Sequence, residues 1–184
     1  MKTQLGFGFA SVIAMVAAFS SAGQDLAFDA AAGEVVAPFT ISTNGSISQP
    51  SLTGLANGGR AVYIFTIASD GEYAVVAEVC APDDASNSLY VNIDGELRDP
   101  EMIWDIPVTT GFAEKRVGWR GTGTASSPQY AGKNFQLTPG SHRLIIGGKE
   151  PDTQVKRLRI VKQPPPPAPS PPQPPTNLRI VGQQ

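Results

Sequence analysis

The sequence is poor in the residues from which most catalytic and metal sites are built. Its 184 residues include one cysteine, Cys80, and one histidine, His142, so neither a CxxC nor an HxxxH zinc pattern occurs. A lone cysteine also excludes a disulfide within the chain, and the fold must rest on its hydrophobic core. We expect Cys80 to be buried and His142 to be a surface or hydrogen-bonded residue rather than a general base. The sequence predicts no catalytic residue and no cofactor.

Strong charge of either sign is also lacking. Lys and Arg number 14 and Asp and Glu number 16, which gives the full chain a net charge of −2. A nucleic acid or an anionic membrane surface is therefore not expected as a partner. Paired acids such as Asp83 and Asp84, or Glu101 and Asp105, are interpreted as solvated side chains rather than as the carboxyl pair of a glycosidase.

Long hydrophobic runs are confined to the N-terminus. Lys2, an apolar stretch at 5–19 and small residues at 20–22 form the pattern of an export signal, with cleavage expected after Ala22. The stretch is shorter than the roughly 18 to 20 residues that a membrane-spanning helix needs. We therefore assign residues 1–22 as a signal peptide and expect a secreted protein, extracellular or periplasmic, without membrane insertion. An uncleaved anchor is the alternative.

Helical periodicity is absent between residues 26 and 162, where β-branched and aromatic runs alternate with clusters of Gly, Pro, Asn and Asp. This pattern predicts an all-β fold, an antiparallel β-sandwich. Tight turns between paired strands are expected at 69–71 and 138–141, where glycine permits a positive φ, so the flanking strands are predicted to form antiparallel hairpins. The predicted strands are 35–41, 60–68, 72–80, 88–94, 101–106, 133–138, 142–148 and 155–162.

The segment 88–94 alternates in the manner of a strand with one buried face. Leu89 and the apolar residues two and four positions later are predicted to face the core. Tyr90, Asn92 and Asp94 are predicted to face solvent.

The C-terminal part of the chain differs sharply in composition. Residues 163–175 read QPPPPAPSPPQPP, a sequence that cannot pack into a core and is expected to form a polyproline II linker of roughly 40 Å. An SH3-type ligand is the alternative reading of this stretch. Residues 176–184 resemble the first strand of a fibronectin type III domain that is truncated after that strand.

The segment from Phe28 to Lys162 resembles the galactose-binding-like jelly rolls of family 6 and family 35 carbohydrate-binding modules. The resemblance is carried by FDAAAGEVVAPFTI at the start, DGEYAVVAEVCAPDDASNSLYVNIDG and MIWDIP in the middle, and FQLTPGSHRLIIGGKEPDTQVKRLRIV at the end. It implies that residues 23–162 form one jelly-roll domain.

The same resemblance implies a position for a structural calcium ion between the first and last strands. Asp29 would be one ligand, but Ala31 stands in place of a second acid and Lys156 in place of an aspartate. Because a hard cation needs several oxygen ligands and a lysine repels it, we predict no metal there and expect the site to be lost or filled by the lysine itself.

A sugar site needs a flat aromatic platform beside a few hydrogen-bonding groups. The two tryptophans lie in or beside the long connection 105–132, and core packing is the alternative role for either of them. A cross-strand contact is the alternative for the tyrosine of the set. The candidate carbohydrate-binding residues are Trp119, Arg120, Trp104, Tyr90, Asn87 and Asp84.

The functional expectation follows from the resemblance and from the scarcity of catalytic residues. We expect a monomeric, secreted, non-catalytic module that attaches a larger extracellular protein to a polysaccharide or glycan. A structural or adhesive spacer without a working sugar site is the first alternative. A polysaccharide-degrading enzyme is the second.

Overall fold

Two facing antiparallel sheets form the domain in the computed structural model, which describes residues 25–165. Within this range one sheet has seven strands and the other has five. The seven-stranded sheet contains β1 (Leu26–Asp29), β3 (Thr40–Ile41), β4 (Ile47–Ser48), β6 (Gly71–Cys80), β9 (Ala113–Arg116), β10 (Phe135–Leu137) and β12 (Gln154–Lys162). The five-stranded sheet contains β2 (Glu34–Val36), β5 (Arg60–Ile67), β7 (Ser88–Ile93), β8 (Ile103–Asp105) and β11 (Gly140–Gly148).

The centre of each sheet is a pair of long strands that are distant in sequence. In the seven-stranded sheet β6 pairs with β12, while β9 and β10 extend the far edge of β6, and β1 and β4 that of β12. The five-stranded sheet has the order β2-β5-β11-β7-β8. The predicted all-β sandwich of jelly-roll type is confirmed.

Each predicted strand run contains a strand, but three strands were not predicted. The run 35–41 is divided between β2 and β3, because Pro38 has no N–H to donate to a ladder and the chain crosses there to the other sheet. β9 reads AEKR and lacks an apolar face, which explains why its sequence does not predict a strand. The other unpredicted strands are β1 and β4.

The core lies between the inner faces of the two sheets. Tyr63 illustrates how it is closed: its hydroxyl donates a hydrogen bond of 2.7 Å to the carbonyl oxygen of Ala30, and burial raises its pKa. A Cβ at Gly33 would lie 2.5 Å from the Tyr63 ring, so only glycine permits this close approach of the chain. The other fully buried core residues include Val75, Val79, Leu89, Leu144, Ile146, Leu158 and Ile160.

The outer face of β7 is buried, contrary to the prediction from its alternation. Tyr90 is 1% and Asn92 5% exposed, and Asp94, just beyond the strand, is exposed as predicted. The cause is a segment we call the covering loop, residues 95–101, which folds back over the five-stranded sheet. A Cβ placed on Gly147 would lie 2.5 Å from a methyl carbon of Leu97, so this loop rests directly on β11.

The chain turns at both predicted positions, but the predicted hairpins are wrong, because each turn joins strands of different sheets, β5 to β6 and β10 to β11. Gly71 and Gly140 have φ angles of 147° and 137°, the positive values that glycine tolerates. Cys80 is half-buried rather than buried, because it is the last residue of its strand. The predicted signal peptide, most of the predicted linker and the fibronectin-like strand lie outside the described residues. Between residues 25 and 165, no helix is long and apolar enough to cross a membrane.

His142 has an acceptor at each ring nitrogen. Its Nδ1 lies 2.7 Å from Oδ2 of Asp94, and its Nε2 lies 2.7 Å from the carbonyl oxygen of Thr138. Only the doubly protonated imidazolium donates to both. Burial lowers the pKa of His142, but the hydrogen bonds to Asp94 and Thr138 raise it by more, so its pKa lies above the ordinary value.

We predict that this contact makes the domain more stable at mildly acid than at alkaline pH. A raised folded-state pKa contributes stability that is fully present below the unfolded pKa of about 6.5 and is lost as the pH rises through the folded-state pKa. The Tm should therefore fall more between about pH 5.5 and about pH 8.5 in the native protein than in Asp94→Asn. Asparagine still accepts the backbone N–H of Arg143 but carries no charge. Equal Tm changes in the two proteins would contradict the prediction.

Candidate functional site

A cleft of about 350 Å³ opens where β6 and β8 end and β7 and β12 begin. Its walls come from the loop 81–87, the loop 121–131 and the residues just after β11. Three of the candidates from the sequence meet there, namely Asp84, Asn87 and Arg120. The cleft also includes Asp105, Ala125, Ser126, Pro128, Tyr130 and Glu150.

The floor of the cleft is a buried ion pair between Arg120 and Asp105. Nε of Arg120 donates a hydrogen bond of 2.8 Å to Oδ2 of Asp105, and its Nη2 donates to Oδ1. The two side chains are only 8% and 6% exposed. Its hydrogen bond to Asp105 raises the pKa of Arg120, so the guanidinium stays charged. The backbone N–H of Arg120 also donates to the carbonyl oxygen of Ile103 at 2.7 Å, which ties this residue to β8.

Glu150 forms the opposite wall and is fixed from two sides. Its Oε2 accepts the backbone N–H of Asn87 at 2.9 Å, and its Oε1 lies 3.3 Å from Nζ of Lys149. Asp84 is exposed and has no ion-pair partner among the described residues. The carboxylates of Asp105 and Glu150 are therefore already paired within the protein, whereas that of Asp84 is free to accept hydrogen bonds from a ligand.

Tyr130 is the aromatic side chain among the described residues that line the cleft, and it is 55% exposed. It lies in a loop that is folded on itself: Thr124 and Ser127 exchange two backbone hydrogen bonds, and the N–H of Gly123 donates to Arg120 at 2.8 Å. Gly121 has a φ of 58°, which permits the turn after Arg120. The loop thus holds an aromatic ring beside the ion pair.

Neither tryptophan lines the cleft. Trp104 is 1% exposed and belongs to the core. Trp119 packs edge-on against Phe135, with ring centroids 5.9 Å apart, and its Nε1 donates to the carbonyl oxygen of Val91 at 2.8 Å. Nζ of Lys133 lies 4.1 Å from the centre of the Trp119 ring and covers it.

Tyr90 is also out of reach of a ligand. Burial and the nearby Asp99 carboxylate raise its pKa to about 12. The expectation that Tyr90 and Trp104 line a surface site is wrong, because the covering loop buries the first and the sandwich core the second. The sequence analysis missed Tyr130 and Glu150. Tyr130 could have been found as an aromatic residue in the Gly- and Ser-rich connection 105–132.

A basic side chain contacts Asp29, the acid at the position where the resemblance implies calcium, and Lys156 contacts an acid of β6. Nε of Arg157 lies 3.6 Å from Oδ1 of Asp29, and Nζ of Lys156 lies 3.7 Å from Oε1 of Glu78. Lys156 thus pairs with β6 rather than with the first strand. Between residues 25 and 165, no group of three or more His, Cys, Asp and Glu side chains is placed to hold a metal ion.

The fold is similar to solved structures that contain carbohydrate-binding modules. The C-terminal family 6 module of a marine laminarinase from Zobellia galactanivorans has a TM-score of 0.53 and 11% identity, and the match covers 76% of this chain and 100% of that one. The family 36 module CBM36-1 of a multidomain xylanase from the hindgut metagenome of Trinervitermes trinervoides has a TM-score of 0.51 and 12% identity, with 77% and 99% covered.

The fold is also similar to part of a larger protein. The GH26-CBM35 β-(1,4)-mannanase of Podospora anserina has a TM-score of 0.50 and 11% identity, and the match covers 80% of this chain. This chain spans 29% of the length of that mannanase. No protein-family model and no curated protein matches the sequence. At these identities the likeness is one of fold, the jelly roll of carbohydrate-binding modules.

Proposed function

We propose that this protein is a non-catalytic carbohydrate-binding module whose sugar site is the cleft between the loops 81–87 and 121–131. The observation that carries the proposal is the juxtaposition of an exposed aromatic ring, Tyr130, with the free carboxylate of Asp84 and the fixed guanidinium of Arg120. A sugar presents an apolar C–H face surrounded by hydroxyl groups, and this arrangement offers a partner to each.

The charges of the cleft favour a neutral sugar. Three carboxylates, those of Asp84, Asp105 and Glu150, line it with one guanidinium, that of Arg120. Because Asp105 neutralises Arg120 and Lys149 neutralises Glu150, an anionic sugar would meet the unpaired negative charge of Asp84. Hydroxyl groups of a neutral ring instead donate hydrogen bonds to Asp84, as carboxylate acceptors prefer.

The hydrogen bonds and ion pairs that Asp105 and Glu150 already make support binding rather than catalysis. A glycosidase uses two carboxyl groups, one of which transfers a proton while the other acts as base or nucleophile. Here Asp105 is bonded to Arg120 and Glu150 to Asn87 and Lys149, which leaves Asp84 alone. Residues 1–22 would export the module, and the linker 163–175 would join it to a larger extracellular protein.

One observation favours a structural spacer as the second candidate function. Trp104 lies in the core, and the half-buried Trp119 is covered by Lys133, so the aromatic platform consists of a single tyrosine. A spacer would bind no glycan with the cleft intact. Binding measurements on the isolated domain therefore decide between the two candidates.

The first prediction concerns the ring of Tyr130. Tyr130→Ala should weaken binding of a neutral oligosaccharide by about tenfold or more, because the apolar face of the sugar loses its stacking partner. Tyr130→Phe should retain most of the affinity, and Asp84→Asn should lose about fivefold through a weakened hydrogen bond. Isothermal titration calorimetry with neutral glucan, mannan, galactan and xylan oligomers measures these effects.

Ile41→Ala is the matched surface control for Tyr130→Ala, since Ile41 is 52% exposed on β3 and does not line the cleft. Circular dichroism checks that each variant is folded. Unchanged binding by Tyr130→Ala would place the site elsewhere. Absence of binding to every glycan would favour the spacer, and release of reducing ends from any of them would favour an enzyme.

The second prediction concerns the ion pair on the cleft floor. Removing one member leaves the other charged and buried, so Arg120→Gln should destabilise the domain by about 3 kcal/mol. Combining it with Asp105→Asn removes the orphaned charge and should restore part of that loss. Urea denaturation of the single and double variants measures the coupling. Losses that simply add would mean that the two charges do not stabilise each other.

A further inference from the structure

Asp84, the free carboxylate of the cleft, lies on a loop that has little packing of its own. Four consecutive residues of the loop, 82–85, are exposed, and in the stretch 81–87 the buried residues are Ala81 and Ser86. A segment with so few buried apolar contacts has low local stability, and hydrogen bonds must hold its shape. The position of the Asp84 carboxylate therefore depends on the bonds that fix the two ends of this loop.

Thr109 holds the first end of the loop from outside the cleft. Its backbone N–H donates a hydrogen bond of 2.8 Å to the carbonyl oxygen of Ala81, and its Oγ1 accepts the backbone N–H of Ala81 at 2.9 Å. We call these two bonds the Thr109 clamp. Ala81 is 0% and Thr109 9% exposed, so water competes little for either bond. Thr109 does not itself line the cleft.

The other end of the loop is held at Asn87. The backbone N–H of Ile106 donates to the carbonyl oxygen of Asn87 at 2.8 Å, and the N–H of Asn87 donates to Oε2 of Glu150 at 2.9 Å. Ile106 and Thr109 belong to the same short segment that follows β8. One segment therefore holds both ends of the loop, and Thr109 contributes a side-chain oxygen to that contact.

The turn that carries Asp84 is closed by hydrogen bonds of its own. Oδ1 of Asp83 accepts the N–H of Ala85 at 2.9 Å, and the carbonyl oxygen of Asp83 accepts the N–H of Ser86 at 3.2 Å. These bonds fix the shape of the turn but do not connect it to the rest of the domain. The turn would move as a unit if one end of the loop were released.

We propose that Thr109 is a positioning residue of the sugar site, which holds the loop 81–87 so that the carboxylate of Asp84 faces a bound sugar. Thr109 thereby sets the affinity of the cleft from outside it, an inference that rests on the proposed function. A loop that already has its binding conformation loses less conformational entropy when the ligand binds. Releasing the loop lowers the apparent affinity in proportion to the fraction of molecules that keep this conformation.

Thr109→Val tests the clamp, because valine has nearly the shape of threonine but no oxygen to accept the N–H of Ala81. Its affinity for the neutral oligosaccharide that the native protein binds should fall by about three- to fivefold. Thr109→Ser keeps the acceptor and should restore most of the affinity. Isothermal titration calorimetry measures the affinities, and circular dichroism checks that each variant is folded. Amide hydrogen exchange should be faster across 81–87 in Thr109→Val.

Thr153→Val is the matched control for Thr109→Val. Thr153 is also buried, at 0% exposure, but its Oγ1 has no hydrogen-bond partner among the described residues. The same substitution therefore removes no hydrogen bond at this position. Both the affinity and the hydrogen exchange of the loop should equal those of the native protein.

A double-mutant cycle separates positioning of Asp84 from a general loss of structure. If Thr109 acts through Asp84, the double variant Thr109→Val with Asp84→Ala should bind no more weakly than Asp84→Ala alone. The loss caused by Thr109→Val should instead add to that of Tyr130→Ala, because Tyr130 lies on the separate loop 121–131.

Three results would overturn the proposal. Equal affinities of Thr109→Val and the native protein would show that the clamp does not set the site, and would leave the proposed function intact. A loss that adds to that of Asp84→Ala, or that Thr153→Val shares, would mean that Thr109 acts on the fold as a whole. Absence of glycan binding by the native protein would overturn the proposed function, and the role of Thr109 with it.

Discussion

The burial of β7 on both faces is the constraint on which the rest of the structure depends. Its inner side chains meet the core, and its outer face lies under the covering loop, with Tyr90 and Asn92 almost fully enclosed. A strand buried in this way must also have its edges satisfied, since unpaired backbone groups are costly away from water. β11 pairs with one edge and β8 with the other. Beyond the end of β8, the indole N–H of Trp119 donates a hydrogen bond to the carbonyl oxygen of Val91.

The positions of the cleft and of the Glu96 ion pairs follow from this arrangement. The covering loop that closes over β7 carries Glu96 to Arg60 of β5 and Arg143 of β11. The chain that leaves β8 returns through Trp119 to Arg120, which places the guanidinium against Asp105 at the end of β8. The cleft thereby has one unpaired carboxylate, that of Asp84, while Arg60 and Arg143 share the carboxylate of Glu96 at a different place on the sandwich.

Local sequence indicated most of the strands and the positions of two turns, because apolar alternation and glycine act over a few residues. It did not indicate that each of these turns joins strands of different sheets. It also named Asp84, Asn87 and Arg120, three polar residues that the structure brings into one cleft. The prediction for Tyr90 was wrong, because alternation along a strand predicts an exposed side chain only when no other segment covers that face of the sheet. Local sequence also failed for β9, where pairing with β6 outweighs a weak intrinsic preference for strand.

What the sequence by itself determined is the class of the fold and the absence of a disulfide framework: short alternating runs, one cysteine and no helical period leave an antiparallel sandwich as the consistent solution. Only the tertiary structure decided which aromatics are exposed and which charges are paired. Trp104 and Tyr130 are both aromatic residues near the same long connection, yet one is 1% and the other 55% exposed. The difference arises because burial depends on contacts between elements: Trp104 lies on β8, which pairs with β7 and packs into the core, whereas Tyr130 lies in a surface loop, and local spacing does not encode these contacts.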